Sequence, residues 1–220
     1  MNGSADVLLQ HGWGWDRSIW ATWDNRCFGG ELRCADRGYF GSAIDPGRAE
    51  IVVAHSLGLH LLQDLTGVRL LVVLSGFRAF HEADPLQGAK TRRKIARMLK
   101  RIQVQPLELL HDFRARCYHP YRPETASIGA PCIDLLRTDL ELLDSHCLPI
   151  SRLEQIPDIL IVHGAEDLII PPERADDLHR QLPNSQLQII PGAGHALPLT
   201  HGDECRLVIK RFLELNMAAE

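Results

Sequence analysis

Short runs of aliphatic and β-branched residues alternate along the chain with stretches in which apolar residues recur every three or four positions. The continuous runs have the length and composition of buried β-strands, whereas the spaced stretches are typical of amphipathic helices. The predicted strands are 7–9, 32–35, 51–53, 69–75, 158–163 and 187–190, and the helices between them are 16–23, 57–65, 172–181 and 203–215. Because strands that alternate with helices pair in parallel through right-handed crossovers, the pattern predicts an α/β fold with helices on both sheet faces.

The strand pattern is interrupted between residues 77 and 150. Three predicted helices follow one another there without an intervening strand, at 91–104, 106–118 and 131–147. Pro106 and Pro131 stand in the first turns of two of them, where a missing backbone N–H is tolerated. We therefore expect a core formed by 1–76 and 151–220, into which residues 77–150 are inserted as a helical cap.

The strand at 51–53 runs directly into a turn that has Ser56 at its centre. Ala54 and Gly58 lie two positions before and after it, which gives an A-x-S-x-G pattern between strand and helix. Such a turn lifts the central side chain out of the sheet on a strained backbone. The following helix also directs free N–H groups toward whatever that side chain attacks. Taken alone, the pattern fits both a catalytic nucleophile and an ordinary buried turn.

Two further reactive residues, Asp167 and His195, follow the ends of other predicted strands. In open parallel sheets this edge is where ligands bind. A serine hydroxyl becomes nucleophilic when a histidine accepts its proton, and a carboxylate holds that histidine in the correct tautomer. The chain order Ser56, Asp167, His195 suits this arrangement. Glu166 is the alternative carboxylate, and singly Asp167 also fits a helix cap and His195 a surface loop.

Together these motifs resemble the α/β-hydrolase superfamily. The segments that carry the resemblance are 11–14, 36–42, 54–58, 164–167 with Pro171, and 192–195. The resemblance implies that the backbone N–H groups of Trp13 and Leu57 form an oxyanion hole. Two features depart from the family pattern. Ala54 replaces the usual glycine, and the chain begins at what would be the family's third strand, so we expect a minimal, mostly parallel sheet of six strands.

The opening motif H-G-W-G-W-x-x-x-x-W, from His11 to Trp20, is similar to the esterases that cleave the methyl ester of pimeloyl-ACP in biotin synthesis. This resemblance implies a serine carboxylesterase that forms an acyl-enzyme and needs no cofactor and no metal. The alternatives are a general small-ester carboxylesterase, a thioesterase or lyase on the same scaffold, and a non-catalytic binding protein. The presence of Ser56, Asp167 and His195 together argues against the last.

Charge is distributed unevenly along the chain. Residues 88–122 contain ten basic and two acidic side chains, a net charge of +8, which against −4 for the whole chain leaves −12 elsewhere. A basic cap on an acidic body would attract an acidic macromolecule such as acyl carrier protein. The residues predicted to bind it are Arg93, Lys94, Arg97, Lys100 and Arg101. The alternative is a solvated helix face; nucleic acid is not expected, because few aromatic residues are interleaved.

Composition sets the remaining expectations. With 220 residues, 45% of them hydrophobic, the chain suits a single globular domain. The first residues have no basic and apolar pattern of an export signal, and no run approaches the length of a membrane helix. The six cysteines include no C-x-x-C pair and are expected to be reduced thiols. We therefore expect a cytoplasmic monomer that does not bind membranes.

Overall fold

A computed structural model describes residues 5–45, 47–123 and 128–217. At its centre lies a six-stranded sheet in which every neighbouring pair is parallel, in the order β2-β1-β3-β4-β5-β6. The strands are β1 Val7–Gln10, β2 Leu32–Cys34, β3 Ile51–His55, β4 Leu70–Leu74, β5 Asp158–Gly164 and β6 Ser185–Ile190. The predicted number and direction of the strands are confirmed. Residues 1–4, 46, 124–127 and 218–220 of the predicted core and cap lie outside the described residues.

Seven α-helices accompany the sheet in the described part of the chain. They are α1 Gly58–Leu61, α2 Pro85–Val104, α3 Pro106–Cys117, α4 Ile133–Ser145, α5 Glu173–Gln181, α6 Leu197–Thr200 and α7 Gly202–Met217. Three 3₁₀ turns, at Arg17–Trp20, Asn25–Cys27 and Ile150–Arg152, complete the secondary structure. The short α6 and the last two 3₁₀ turns have no counterpart in the sequence prediction.

Three predicted helices differ from the observed ones. The helix expected over 16–23 is only the 3₁₀ turn at Arg17–Trp20, which the Asp16 side chain caps by accepting from the Ser18 N–H. The helix expected over 57–65 ends at Leu61, because Leu62 is already extended. Helix α2 begins at Pro85 and not at 91, since the Asp84 side chain caps it by accepting from two backbone N–H groups.

Both faces of the sheet are buried, which explains the continuous apolar runs of the strands. Val53 and Val162 belong to an apolar cluster that contains Ile209 and Phe212 of α7. The alternate strand positions, such as Val73, belong to a second cluster with residues of α1 and α5. The expectation of helices on both faces is therefore confirmed.

Helices α2, α3 and α4 lie between β4 and β5 in the sequence and cover loops that follow the strands. Their buried residues form one cluster with Trp13 after β1, Tyr39 after β2, Leu57 after β3 and Phe77 after β4. Asp139 of α4 adds a polar contact: it accepts two hydrogen bonds of 2.8 Å from the guanidinium of Arg37. The segment 77–150 thus packs over the carboxyl ends of the strands, while its boundaries as a separate domain stay a prediction.

A histidine pair joins helix α1 to the end of this segment. His60 Nε2 donates to the backbone carbonyl of Phe77 at 2.9 Å, so its Nδ1 is free to accept from His146 Nδ1, which is also 2.9 Å away. Burial lowers the pKa of His60 to about 4, and the neighbouring His146 and Arg152 act in the same direction. Burial likewise lowers the pKa of His55 to about 3. Both imidazoles are therefore neutral near pH 7.

We expect the free energy of unfolding to fall as the pH is lowered from about 6.5 toward 4. An unfolded histidine has a pKa of about 6.5. In this window the unfolded chain binds protons that folded His55 and His60 reject, so each histidine contributes up to about 1.4 kcal/mol per pH unit. Urea unfolding at pH 7, 6 and 5 measures this slope. His60→Gln should make the slope shallower; an unchanged slope in this variant would contradict the assignment.

Candidate active site

Ser56 occupies a sharp turn between β3 and α1. Its backbone has a φ of +54°, a conformation that L-residues adopt only when the surroundings enforce it, at a cost of about 1–3 kcal/mol. The Ser56 N–H donates to the carbonyl of Leu74 at 2.9 Å, which fixes the turn to the carboxyl end of the neighbouring strand β4. Ala54 lies within the strand and packs in the apolar cluster of α1 and α5, so its methyl group is accommodated there.

The loop after β1 lies directly against this turn. A Cβ on Gly12 would stand 2.9 Å from both the His55 carbonyl oxygen and the Ser56 Cβ. A Cβ on Gly58 would stand 2.7 Å from the carbonyl oxygen of Gln10. Only residues without a side chain permit this approach, which places the loop that carries Trp13 beside Ser56.

The structure brings Ser56, His195 and Asp167 together although they are far apart in sequence. His195 Nε2 lies 2.9 Å from Ser56 Oγ, and His195 Nδ1 lies 2.7 Å from Asp167 Oδ2. All three side chains are buried. A carboxylate can only accept from Nδ1–H, so Nε2 of the neutral ring is the acceptor for the Ser56 hydroxyl. This is the arrangement in which a histidine withdraws a proton from a serine.

Asp167 is held in its ionised form. Burial alone would raise the pKa of Asp167, but the electrostatic interaction with His195 and hydrogen bonds from His163 and His195 outweigh it and hold that pKa well below its ordinary value. Its second oxygen, Oδ1, accepts from the backbone N–H groups of Ile169 and Ile170 at 2.8 and 2.9 Å. The alternative carboxylate, Glu166, is exposed to solvent, and Asp167 is the one that contacts the histidine.

The two predicted oxyanion donors, Trp13 and Leu57, border the same cavity as Ser56. Within the described residues, neither backbone N–H has a hydrogen-bond acceptor. The buried ring of His11 accepts from the Arg37 N–H at 2.9 Å and donates from Nδ1 to the Gly12 carbonyl at 2.9 Å. The Gly12 carbonyl and the Trp13 N–H belong to the same trans peptide and point in opposite directions. The bond from His11 Nδ1 to that carbonyl therefore turns the Trp13 N–H away from His11. The role of Trp13 and Leu57 as oxyanion donors stays a prediction.

Two buried histidines that were not among the predicted site residues support the three reactive side chains. His55 donates from Nε2 to the backbone carbonyl of His195 at 2.9 Å. His163 donates from Nε2 to the Ile170 carbonyl at 2.9 Å and lies 3.3 Å from Asp167 Oδ2. Their positions at the ends of β3 and β5 are the only signal in the sequence that could have identified them.

A cavity of about 540 Å³ opens beside Ser56. Most of its lining is apolar and comes from the loops after β1, β3 and β4, from α2, α3 and α4, and from residues 168–170. Its charged lining residues are Lys94, Arg97, Arg101, Asp112 and Arg116. A reactive serine in the wall of an apolar cavity is suited to a substrate with a substantial hydrophobic part.

The five basic residues predicted to bind an acidic partner divide into two groups. Arg93 and Lys100 are exposed and do not border the cavity. Lys94 and Arg97 are exposed at the cavity mouth, and Arg101 is half-buried there, with a 2.6 Å ion pair to Asp112. The sequence prediction treated the five as one group and did not anticipate that three of them border the cavity.

Other kinds of site are not found in the described ranges. No cluster of three or more histidine, cysteine or acidic side chains has the geometry of a metal site there. Nor does any helix in these ranges have the length and apolar character required to cross a bilayer.

Solved structures with the same fold include an esterase from Exiguobacterium antarcticum, with a TM-score of 0.77, 17% identity, and coverage of 97% of this chain and 93% of that one. A bromoperoxidase from Bacillus anthracis gives a TM-score of 0.75 at 18% identity, covering 96% and 92% of the two chains. At such identities the likeness concerns the fold alone.

Sequence relatives match over shorter stretches. A proline iminopeptidase from Xylella fastidiosa is 46% identical over 46 residues, which are 21% of this chain and only 14% of that protein. The chain thus aligns with a small part of this curated relative. The model of the alpha/beta hydrolase family, in contrast, matches residues 7–206. Since this match spans nearly the whole chain, the protein belongs to the alpha/beta hydrolase family.

Proposed function

We propose that this protein is a serine esterase that hydrolyses a carboxylic ester through an acyl-enzyme on Ser56. The observation that carries the proposal is the pair of hydrogen bonds, 2.9 and 2.7 Å long, that connects Ser56 through His195 to Asp167 in the wall of an apolar cavity. Nucleophile, base and orienting carboxylate are then all within the reach that acyl transfer requires.

In the proposed reaction, Ser56 Oγ attacks the ester carbonyl while His195 Nε2 accepts its proton. Asp167 stabilises the imidazolium, and the N–H groups of Trp13 and Leu57 would stabilise the oxyanion, each by about 3–4 kcal/mol. His195 then protonates the departing alcohol, which leaves the acyl group on Ser56. A water molecule, deprotonated by His195, attacks the acyl carbonyl and releases the acid and the free serine.

The finer proposal is that the ester is the methyl ester of a pimeloyl group on acyl carrier protein. It is supported by the resemblance of the His11–Trp20 motif, by the apolar cavity, and by the net charge of +8 on residues 88–122. An acidic carrier would be drawn to this basic surface. A general small-ester carboxylesterase and a thioesterase or lyase remain the competing proposals, and a binding protein without activity is disfavoured by the complete Ser56–His195–Asp167 arrangement.

Replacement of the proposed nucleophile should abolish turnover without unfolding the protein. We expect Ser56→Ala to lower kcat on a p-nitrophenyl acyl ester by about three orders of magnitude or more, as removal of a triad member does in other serine hydrolases. A serine-directed phosphonate should label Ser56 and no other residue, as peptide mapping can check. A folded Ser56→Ala protein with near-normal esterase activity would exclude the assignment.

The adjacent carboxylates provide a matched comparison within the same experiment. Asp167→Asn should lower the rate strongly, because asparagine permits the wrong tautomer of His195. Glu166→Gln, one residue earlier and exposed, should have little effect. His195→Ala combined with Ser56→Ala should be little worse than either single variant, because the residues act as a unit. Strong loss from Glu166→Gln with none from Asp167→Asn would reverse the assignment of the acid.

Carrier recognition predicts a loss that depends on the substrate. Arg93→Glu with Lys100→Glu reverses two exposed charges outside the cavity, so kcat/KM on a carrier-linked methyl ester should fall severalfold more than on a small neutral ester. Added salt should weaken the wild-type reaction with the carrier, since the Debye length is about 8 Å at physiological ionic strength. Equal losses on both substrates would indicate a damaged fold, and no loss would assign these charges to a solvated face.

A further inference from the structure

Every charged side chain that borders the cavity in the described chain comes from α2 or α3. Four are cations, Lys94, Arg97, Arg101 and Arg116, and one, Asp112, is an anion. Asp112 is already paired with Arg101 at 2.6 Å. Lys94, Arg97 and Arg116 have no carboxylate partner among the described residues. The cavity mouth therefore has three unpaired positive charges.

These residues lie on facing stripes of two packed helices. Lys94, Arg97 and Arg101 follow the three-and-four-residue spacing that places side chains on one side of α2. Asp112 and Arg116 are separated by four residues on α3, which packs against α2. Arg93 and Lys100 lie on the adjoining flank of α2, each one turn from Arg97, and do not border the cavity. Three of the seven basic side chains of α2 thus border the cavity, together with Arg116 of α3.

Positive charge beside an apolar cavity has a definite chemical preference. Apolar walls have a low dielectric constant and focus the field of nearby charges, so an anion at this mouth is attracted more strongly than at an open surface. An acyl chain that ends in a neutral group would make no charge–charge contact with these three cations. An acyl chain that ends in an anion would pack its apolar part against the lining and place its charge beside the three cations.

We infer that the cavity mouth formed by Lys94, Arg97 and Arg116 binds an anionic group of the substrate itself, a carboxylate or phosphate joined by an apolar chain to the ester carbonyl that Ser56 attacks. This inference rests on the proposed esterase function and names its substrate class. It differs from carrier docking, because these three side chains act on a small molecule and need no macromolecule.

The test compares small methyl esters that differ only at the far end of the acyl chain. Monomethyl esters of dicarboxylic acids of several lengths are compared with the same esters ending in a carboxamide, which is neutral and of similar shape, and with esters ending in a phosphate. We expect wild-type kcat/KM to favour an anionic end over the carboxamide by about tenfold, mainly through KM. Preference for phosphate over carboxylate, or the reverse, identifies which anion the mouth accepts, and either supports the inference.

Lys94→Gln and Arg97→Gln should each reduce this preference, measured as the ratio of kcat/KM for the anionic and the carboxamide-ended ester, severalfold. Lys90→Gln is the matched control: Lys90 is exposed on α2, one turn before Lys94, and does not border the cavity. It should keep the full preference. All of these side chains are exposed, so the variants should fold.

Two results would overturn the inference and leave the esterase proposal intact. In the first, wild type hydrolyses anionic and carboxamide-ended esters equally well, and the activity depends on Ser56. In the second, Lys90→Gln lowers the preference as much as Lys94→Gln, which would show a diffuse field and no binding site. If no ester in the series is hydrolysed but a p-nitrophenyl acyl ester is, in a reaction that requires Ser56, this inference alone falls; if neither is hydrolysed, the proposed function falls as well.

Discussion

The candidate site depends on the close approach of backbones at positions where no side chain is present. The loop after β1 meets the Ser56 turn at Gly12 and Gly58, where an added Cβ would lie within 3 Å of the opposing main chain. The loop after β5 meets the loop of His195 in the same way, since a Cβ on Gly164 would stand 2.4 Å from the Ala193 carbonyl. Any separation of these loops would lengthen the hydrogen bonds that join Ser56, His195 and Asp167.

The strands and the three reactive residues could be predicted from the sequence because each follows from a strong local pattern. Buried parallel strands are continuous apolar runs, and the side chains just after them share one edge of the sheet. The prediction of a helix over 16–23 was wrong because Ile19, Trp20 and Trp23 are all buried although only Arg17–Trp20 form a 3₁₀ turn, so their apolar spacing does not require an α-helix. Helix α2 starts at Pro85, earlier than predicted, because the Asp84 side chain caps it there. A single capping residue leaves no periodic pattern of apolar residues in the sequence.

What the sequence could not provide is long-range packing. The spacing of Ile95 and Ile102 identifies the buried face of α2, and both are indeed buried. The spacing does not show on which side of this buried face α3 packs. The position of α3 is what makes Arg97, and not Arg93, border the cavity. Similarly, the bond from His55 to the His195 carbonyl joins residues 140 positions apart and has no local signature.

The tryptophan-rich motif after β1 has a structural explanation that is independent of any particular substrate. The Trp13 indole donates to the Leu136 carbonyl on α4 at 2.9 Å, and Arg114 of α3 donates to the Gly14 carbonyl while lying 4.6 Å from the Trp15 ring. These contacts attach the loop that carries Trp13, one of the two predicted oxyanion donors, to the helices that enclose the cavity. A chain that needs this attachment would require the motif whatever substrate it binds. The charges at the cavity mouth, which no such contact requires, are therefore the better guide to the substrate.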